Sequence, residues 1–492
     1  MLLTRHACPC VASCALLLLV PAGCAGTYES AVRTDLERAA RTLGPAPGEA
    51  RETPTPLGPA LSDYLVYAAE RHPDLRASYG RWRASVHRIS PARRLPDPAV
   101  DFGLFVWNSG ENAGVVPARA SIRQEFPWPT ALSAGADAAA AEARALSQRF
   151  EALLLDLRQQ VTEAYFRLWL LRETRTIQQE QLEILRWLSQ STLGQIATGA
   201  ATLADQQQID LIAARLEDAI AGLDQQERAA EAQVRAVVGA PPGAETPTEG
   251  APPAVTLPAE ADAALEKAAL DHPFIASFAL MGEASDALAR REAAGRFPGF
   301  AVGVEWLRMP GEMGTSAVVP NVGVRLPLWQ GSYREGIRAA QADASAQRAE
   351  GEGAALRAQA ALAEALSVVR DAHRRAALNE HTLLPQAEAA YASVLGAYTT
   401  SRSSIAESVL AQQQLLEIRL DLAQARADHA VAWARLEQVV GRTVERAAVS
   451  SSGPSSEPPS MQPTEQVSGQ GKDPITAPST ERGASLRGGQ HD

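Results

Sequence analysis

The side chains able to do covalent or metal chemistry are few and poorly grouped. All four cysteines, Cys8, Cys10, Cys14 and Cys24, fall within the first 24 residues. Nothing beyond them could build a disulfide framework or a thiolate metal site. The eight histidines are scattered, with no H-x-x-x-H or H-x-H pair. His373 and His381 could share one helical face, which is ordinary for helix-surface histidines. Met309 and Met313 flank Pro310-Gly311-Glu312 in an expected loop. No metal site is expected from such spacing. Ser, Asp and His are present but ungrouped, with no G-x-S-x-G, no phosphate-cradling Gly-rich loop and no paired-carboxylate motif in a recognisable setting. The sequence therefore predicts no catalytic residue and no cofactor, and a partner would have to supply the energy for any work done.

One thiol stands apart. Arg5 and His6 precede an apolar run over residues 11–20, too short to span a bilayer and typical of a secretory signal. The run ends in Pro21-Ala22-Gly23-Cys24, small residues before a cysteine, in the manner of a bacterial lipoprotein processing site. Pro21 stands where Leu is usual. Cleavage there would remove residues 1–23 and leave Cys24 as the lipidation site, with several acyl chains giving a stable anchor. Plain signal-peptidase cleavage is the alternative.

The elements that would position anything else follow from composition and pattern. Of 492 residues, 46% are hydrophobic and 21% charged, but only 5% are aromatic, and the net charge is −11. The acidity argues against nucleic acid as a partner. Abundant Ala, Arg and Glu favour helices packed closely along their length. No apolar run is long enough for a transmembrane helix, so a membrane crossing would require a closed β-barrel.

The chain is also written twice, at an offset of about 200 residues. Leu65 to Leu75 (LVYAAERHPDL) is answered by Leu265 to Ile275 (LEKAALDHPFI), each with His-Pro at the same step. Glu125-Phe126-Pro127-Trp128 is answered by Arg325-Leu326-Pro327-Leu328-Trp329, and Leu193-Gly194 by Leu395-Gly396. Val237-Val238-Gly239 closes one half and Val439-Val440-Gly441 the other. These landmarks divide the chain into an extension (24–58), a first repeat (59–239), a Pro/Gly-rich linker (240–258), a second repeat (259–446) and a tail (447–492). The tail's Ser, Pro, Gln and Gly predict disorder.

Each half follows one plan. A first helix (61–90; 259–294) leads to two strand-like pieces (99–107 and 118–126; 300–309 and 318–328) joined by Gly-rich loops. Those are hairpin signals, though a buried strand pair in a soluble domain would read similarly. A helical stretch of roughly 65 residues follows, 130–195 and 332–397, and at 1.5 Å per residue spans about 100 Å. The second stretch is expected to open on Ser332-Tyr333-Arg334-Glu335 as a capping box and to kink or break at Pro385. Return helices cover 200–238 and 403–440. Two shorter helices stacked end to end match one long one. The predicted fold is thus mainly α, long helical hairpins forming a rod or tunnel wall, capped by four strands. Four strands cannot close a barrel alone, so copies must pool them; two would give eight strands and three would give twelve.

This plan resembles the TolC-type outer-membrane efflux proteins over roughly residues 60 to 445. Tyr398-Thr-Thr-Ser401 followed by Ala411-Gln412-Gln-Gln-Leu415 is similar to the family's turn-and-return pattern, with Ser401 in place of its Gly; half one keeps Gly199. Gln124-Glu125-Phe126-Pro127-Trp128-Pro129 resembles the heavy-metal branch. The resemblance implies a homotrimer with a twelve-stranded barrel in outer membrane lipid and a helical tunnel across the periplasm. It also implies a periplasmic adaptor and an inner-membrane pump, commonly of the resistance–nodulation–division class, as partners. The duct would then be a passive exit for metal cations or small toxic molecules. A duct for protein secretion and a non-conducting periplasmic coiled-coil lipoprotein scaffold are the competing readings.

Two sets of site residues follow. The helix-turn-helix tips, 193–203 and 395–405, lie farthest from the strands. Gly194, Gly199, Gly396 and Ser401 are expected to permit tight turns and close approach. Leu193, Ile196, Leu395 and Tyr398 would form an exposed apolar patch, and the resemblance makes these tips the adaptor-docking sites. Alternatively the apolar residues pack between helices and the glycines merely cap them. Asp205 and Glu407 stand nine residues past Ile196 and Tyr398. The resemblance implies that the second of these guards a periplasmic aperture; the plain reading is two surface carboxylates. A second acid of that family pattern is Leu410 here.

Overall fold

The computed structural model describes residues 27–42, 57–104, 118–199, 201–308, 316–400 and 402–447. Cys24, Met309, Met313, Ser401 and nearly all of the tail lie outside the described residues. Helix α1 (Thr27–Thr42) packs Val32 and Leu36 against the helices that follow.

The first helix of each half is broken where His-Pro stands. In half one α2 (Leu61–Arg71) gives way to α3 (Pro73–Arg93). Proline forces the preceding residue out of the helical region, and His72 is extended at φ −61°, ψ 124°. Strands β1 (Ala99–Leu104) and β2 (Ala118–Phe126) lead into α4 (Pro129–Thr198), an unbroken helix of 70 residues and about 105 Å. Helix α5 (Leu203–Val238) returns. Half two gives α6 (Asp262–Leu270), α7 (Pro273–Ala294), β3 (Gly299–Arg308), β4 (Ser316–Arg325) and α8 (Gln330–Leu378). A π-turn (Asn379–Leu383) joins α8 to α9 (Leu384–Thr399), and α10 (Ile405–Val440) returns.

One expectation is corrected. Helix α8 starts at Gln330 with Trp329 as its N-cap, so Ser332 lies already inside it and forms no capping box. The interruption expected at Pro385 takes the form of the π-turn between α8 and α9. The turn before it widens from α to π, which accommodates a residue that can neither donate to the carbonyl four back nor clear its ring past it.

Helix α4 packs on α3 and α5 along one side and on α7 and α10 along the other, and α8 packs on α7 and α10. Four columns result, in the order α3 with α5, α4, α7 with α10, then α8. End-to-end stacking within a column depends on the closing glycines. Gly239 (φ +74°) ends α5 with its Cα against His72 and the Arg71 carbonyl, where a Cβ would come within 3.3 Å of backbone. Gly441 (φ +79°) ends α10 against His272, where a Cβ would lie 2.9 Å from the ring. The upper part of α4 is a run of buried small residues, Ala134 to Ala145, which lets α3 and α7 approach closely.

Residues 240–258 are an ordered strap laid across the columns. Tyr64 donates to the Pro247 carbonyl at 2.5 Å, and Tyr165 lies 3.1 Å from the Glu249 carbonyl and 2.8 Å from that of Pro59. Arg172 donates to the Thr246 carbonyl (2.7 Å) while pairing with Glu227 (2.6 Å) and Glu231 (2.9 Å). At the far end His429, wholly buried on α10, donates from Nε2 to the Thr256 carbonyl at 2.8 Å. The strap thus ties α4 to α10. Its prolines remove donors, but buried partners satisfy the carbonyls that remain.

Candidate functional site

The four strands form one antiparallel sheet in the order β1-β2-β3-β4. Directly paired residues share a face, and the register sorts side chains by chemistry. Val100 faces Ile122, which faces Val304, which faces Pro320; Phe102, Ala120, Trp306 and Val318 form the next row. That face is largely apolar and uncovered, with Phe102 81% and Val322 74% exposed and Gln124, Arg308 and Ser316 towards its ends. The opposite face carries Asp101, Arg119, Ser121, Glu305 and Asn321, with Glu125 paired to Arg325 at 2.6 Å and Arg119 reaching Glu305 at 4.0 Å. Glycines 103, 303 and 323 keep that face thin. Strands β1 and β4 each present an unpaired edge.

A sheet of this kind is unfavourable in water and unfavourable as an open fragment in lipid. The first follows from its exposed apolar face, the second from its edge amides and carbonyls. It becomes stable when the apolar face meets hydrocarbon and the edges find further strands. Trp128 stacks on Phe297 at 4.9 Å where β2 meets α4, and Trp329 is exposed after β4. These rings mark one rim of the sheet, as aromatic residues do where barrels meet headgroups.

At the other end of the columns the two tips differ from expectation. The exposed patch is smaller than the sequence suggests. Leu193 is 54% exposed and Ile196 half-buried, but Leu395 is half-buried and Tyr398 only 3% exposed. Tyr398 packs with Leu185, Leu188, Ile209, Ile405 and Val409, and its hydroxyl lies 3.4 Å from that of Thr192. Tertiary packing overrides the pattern because α4 and α10 converge there. Only Gly199 makes a tight turn, ending α4 at φ +73°. Gly194 and Gly396 are helical, and a Cβ on either would meet nothing within 4 Å. Among the described residues, no side chain or backbone approaches the space beside either Cα.

Asp205 and Glu407 are the third residues of α5 and α10. Asp205 accepts from the Thr202 amide (2.9 Å) and hydroxyl (2.7 Å), and Thr202 accepts the Asp205 amide in return. Glu407 accepts from the Ser403 hydroxyl (2.7 Å) and the Ser404 amide (3.1 Å). These are reciprocal capping boxes, and the hydrogen bonds hold both carboxyls below their usual titration range. The T-x-x-D and S-x-x-E spacing carried that signal. Sequence reasoning also missed the buried Gln412 to Gln181 bond (2.6 Å) between α10 and α4, which no periodicity announces.

No family model matches the sequence, and no curated protein matches it. Solved structures do match. VceC, an outer membrane protein of Vibrio cholerae, superposes with a TM-score of 0.63 at 18% identity, over 78% of this chain and 97% of that one. The MtrE outer membrane channel of Neisseria gonorrhoeae, in its open state, gives 0.63 at 16%, over 78% and 89%. This chain has the fold of an outer membrane channel. CusC, whose structures concern folding and transmembrane channel formation, gives 0.65 at 14% identity, over 78% and 92%. At these identities the likeness establishes the architecture, and the two-faced sheet gives that architecture its chemical sense here. No described helix is long and apolar enough to cross a membrane.

Proposed function

We propose that the chain is one subunit of a trimeric duct of the TolC type. Three four-stranded sheets close a twelve-stranded barrel in the outer membrane, and the helical columns line a periplasmic tunnel. The observation that carries this reading is the sheet, apolar and bare on one face, polar on the other, and open at both edges. A periplasmic scaffold would need neither that face nor those edges. The second half then repeats the first so that one chain supplies two hairpins and two tips. The duct is passive, with no catalytic centre, and works with a periplasmic adaptor and an inner-membrane pump of the resistance–nodulation–division class. Its cargo is metal cations or small toxic molecules.

Three assignments belong to this reading. The tips dock the adaptor, with exposed Leu193, Ile196 and the bare Gly194 and Gly396 offering close approach and Gly199 setting the turn. Asp205 and Glu407, repeated by symmetry, ring the periplasmic mouth as acidic caps. Cys24 is acylated. The course of α1 supports that anchor: Arg33 donates to Ser90 near the sheet end of α3, whereas Asp35 and Arg38 face Glu151, farther down α4. Helix α1 therefore runs away from the sheet, with its first turn, three residues after Cys24, at the membrane end.

The test is reconstitution in planar bilayers. Discrete conductance steps and a heat-modifiable trimer are expected, with Asp205→Asn plus Glu407→Gln raising conductance or weakening cation block. A water-soluble monomer without conductance would end the proposal.

A further inference from the structure

Between α4, α8 and α10 lies a recess of about 470 Å³, open to solvent. It sits on the face of α10 turned from the strap. At 100° per residue, Val431 and Arg435 stand roughly 200° and 240° around the axis from strap-bound His429. Its floor is apolar, with Phe166 and Leu170 from α4, Val368 from α8 and Val431 from α10. Helix α10 is alanine-rich here, with Ala427 and Ala432 lining the recess, so the floor is sunk between bulkier walls.

The rim is charged but neutral in sum. Arg375 is paired with Asp428 at 3.1 Å. Four other charges lack ion pairs among the described residues: Glu163, bonded to Gln159; Arg435, bonded to Gln438; and Arg167 and Glu364, with no hydrogen bond. Arg167 stands on the α4 wall and Glu364 on the α8 wall, with α10 between them. A volume of this size, an apolar floor and a few convergent polar groups are what a small organic ligand requires. Charges of both signs, unpaired on facing walls, suit a ligand that carries both signs itself.

We infer that this recess binds small amphipathic zwitterions, an apolar body seated on Phe166, Val368 and Val431 with its ionic groups toward Arg167 and Glu364. Within the duct it would act as a wall site on the solute's path; that role rests on the duct reading, whereas the binding does not. It selects organic solutes over bare metal cations as cargo, because the floor has no ligand to offer a metal.

Fluorescence polarisation of the full-length protein with rhodamine B (zwitterionic) and rhodamine B ethyl ester (its cationic ester) tests this. Saturable binding is expected, at least threefold tighter for rhodamine B, with that preference abolished in Arg167→Gln. Val368→Trp, at a solvent-exposed position of the floor, fills the recess and should weaken rhodamine B at least tenfold while α-helical circular dichroism is unchanged. Equal affinity in Val368→Trp and the parent, or no preference for rhodamine B, overturns the assignment. Bilayer conductance measured on the same preparations reports the duct reading separately: a non-conducting protein that still binds rhodamine B at this site would sink the duct and spare the recess.

Discussion

At the residue scale, the closing glycines and the two buried histidines do work that their sequence positions barely advertise. Gly441 needs positive φ and has His272 against it, so Gly441→Ala meets both backbone strain and a side-chain collision. A loss of about 1–2 kcal/mol or more is expected, read as a lowered thermal midpoint. Gly194→Ala, on an open helical surface, should instead leave stability unchanged or raise it by up to about 1 kcal/mol. His272 donates to the Gln438 carbonyl and accepts the Phe274 amide, and His429 donates to Thr256. The bond accepted at Nδ1 makes His272 a neutral imidazole, and burial is the main cause that lowers the pKa of both histidines. For His429, nearby Arg446 and His373 lower it further, while the bond to Thr256 opposes the shift. A base with a lowered folded pKa adds stability that is present above the unfolded value, about 6.5. That stability is lost as pH falls through the folded value. The thermal midpoint should drop between pH 7 and pH 5, and His429→Gln should flatten that slope.

At the element scale, the sheet separates two environments by residue parity. Val322 and Asn321 are neighbours in β4 with opposite faces. Val322→Arg places a charge on the lipid side, which near a bilayer midplane costs about 2–4 kcal/mol. It should reduce the amount of trimer recovered from outer membranes. Asn321→Arg faces the polar side and should leave recovery near that of the parent. Equal recovery of the two variants would remove the assignment of faces. The strap, too, belongs to this scale: residues that read as a linker are fixed because Tyr64, Tyr165, Arg172 and His429 reach them from three separate helices, α2, α4 and α10.

At the scale of the whole molecule, the columns separate the sheet from the two tips by the length of α4. Substituting Asp for both Gly194 and Gly396 adds bulk and charge where no described residue lies within 4 Å of the new Cβ. Trimers should persist while efflux, measured as drug or metal susceptibility of complemented cells, is lost. Retained efflux would move adaptor docking away from the tips.

Much of this was legible from residues alone. The duplicated landmarks, the strands and the long helices follow from periodicity, Pro/Gly punctuation and length, all of which act locally along the chain. The His-Pro step and the Val-Val-Gly close were visible too, but not that each Gly meets its His, since that contact joins residues some 170 positions apart. Tyr398 looked exposed because its neighbours are small and polar; convergence of α4 and α10 buries it. Sheet register, the strap's anchors and the recess over α10 likewise depend on which elements become neighbours. Sequence patterning determines elements, because helix and strand periods are short-range. Only tertiary packing decides which faces are covered and which are left to lipid, partner or solute.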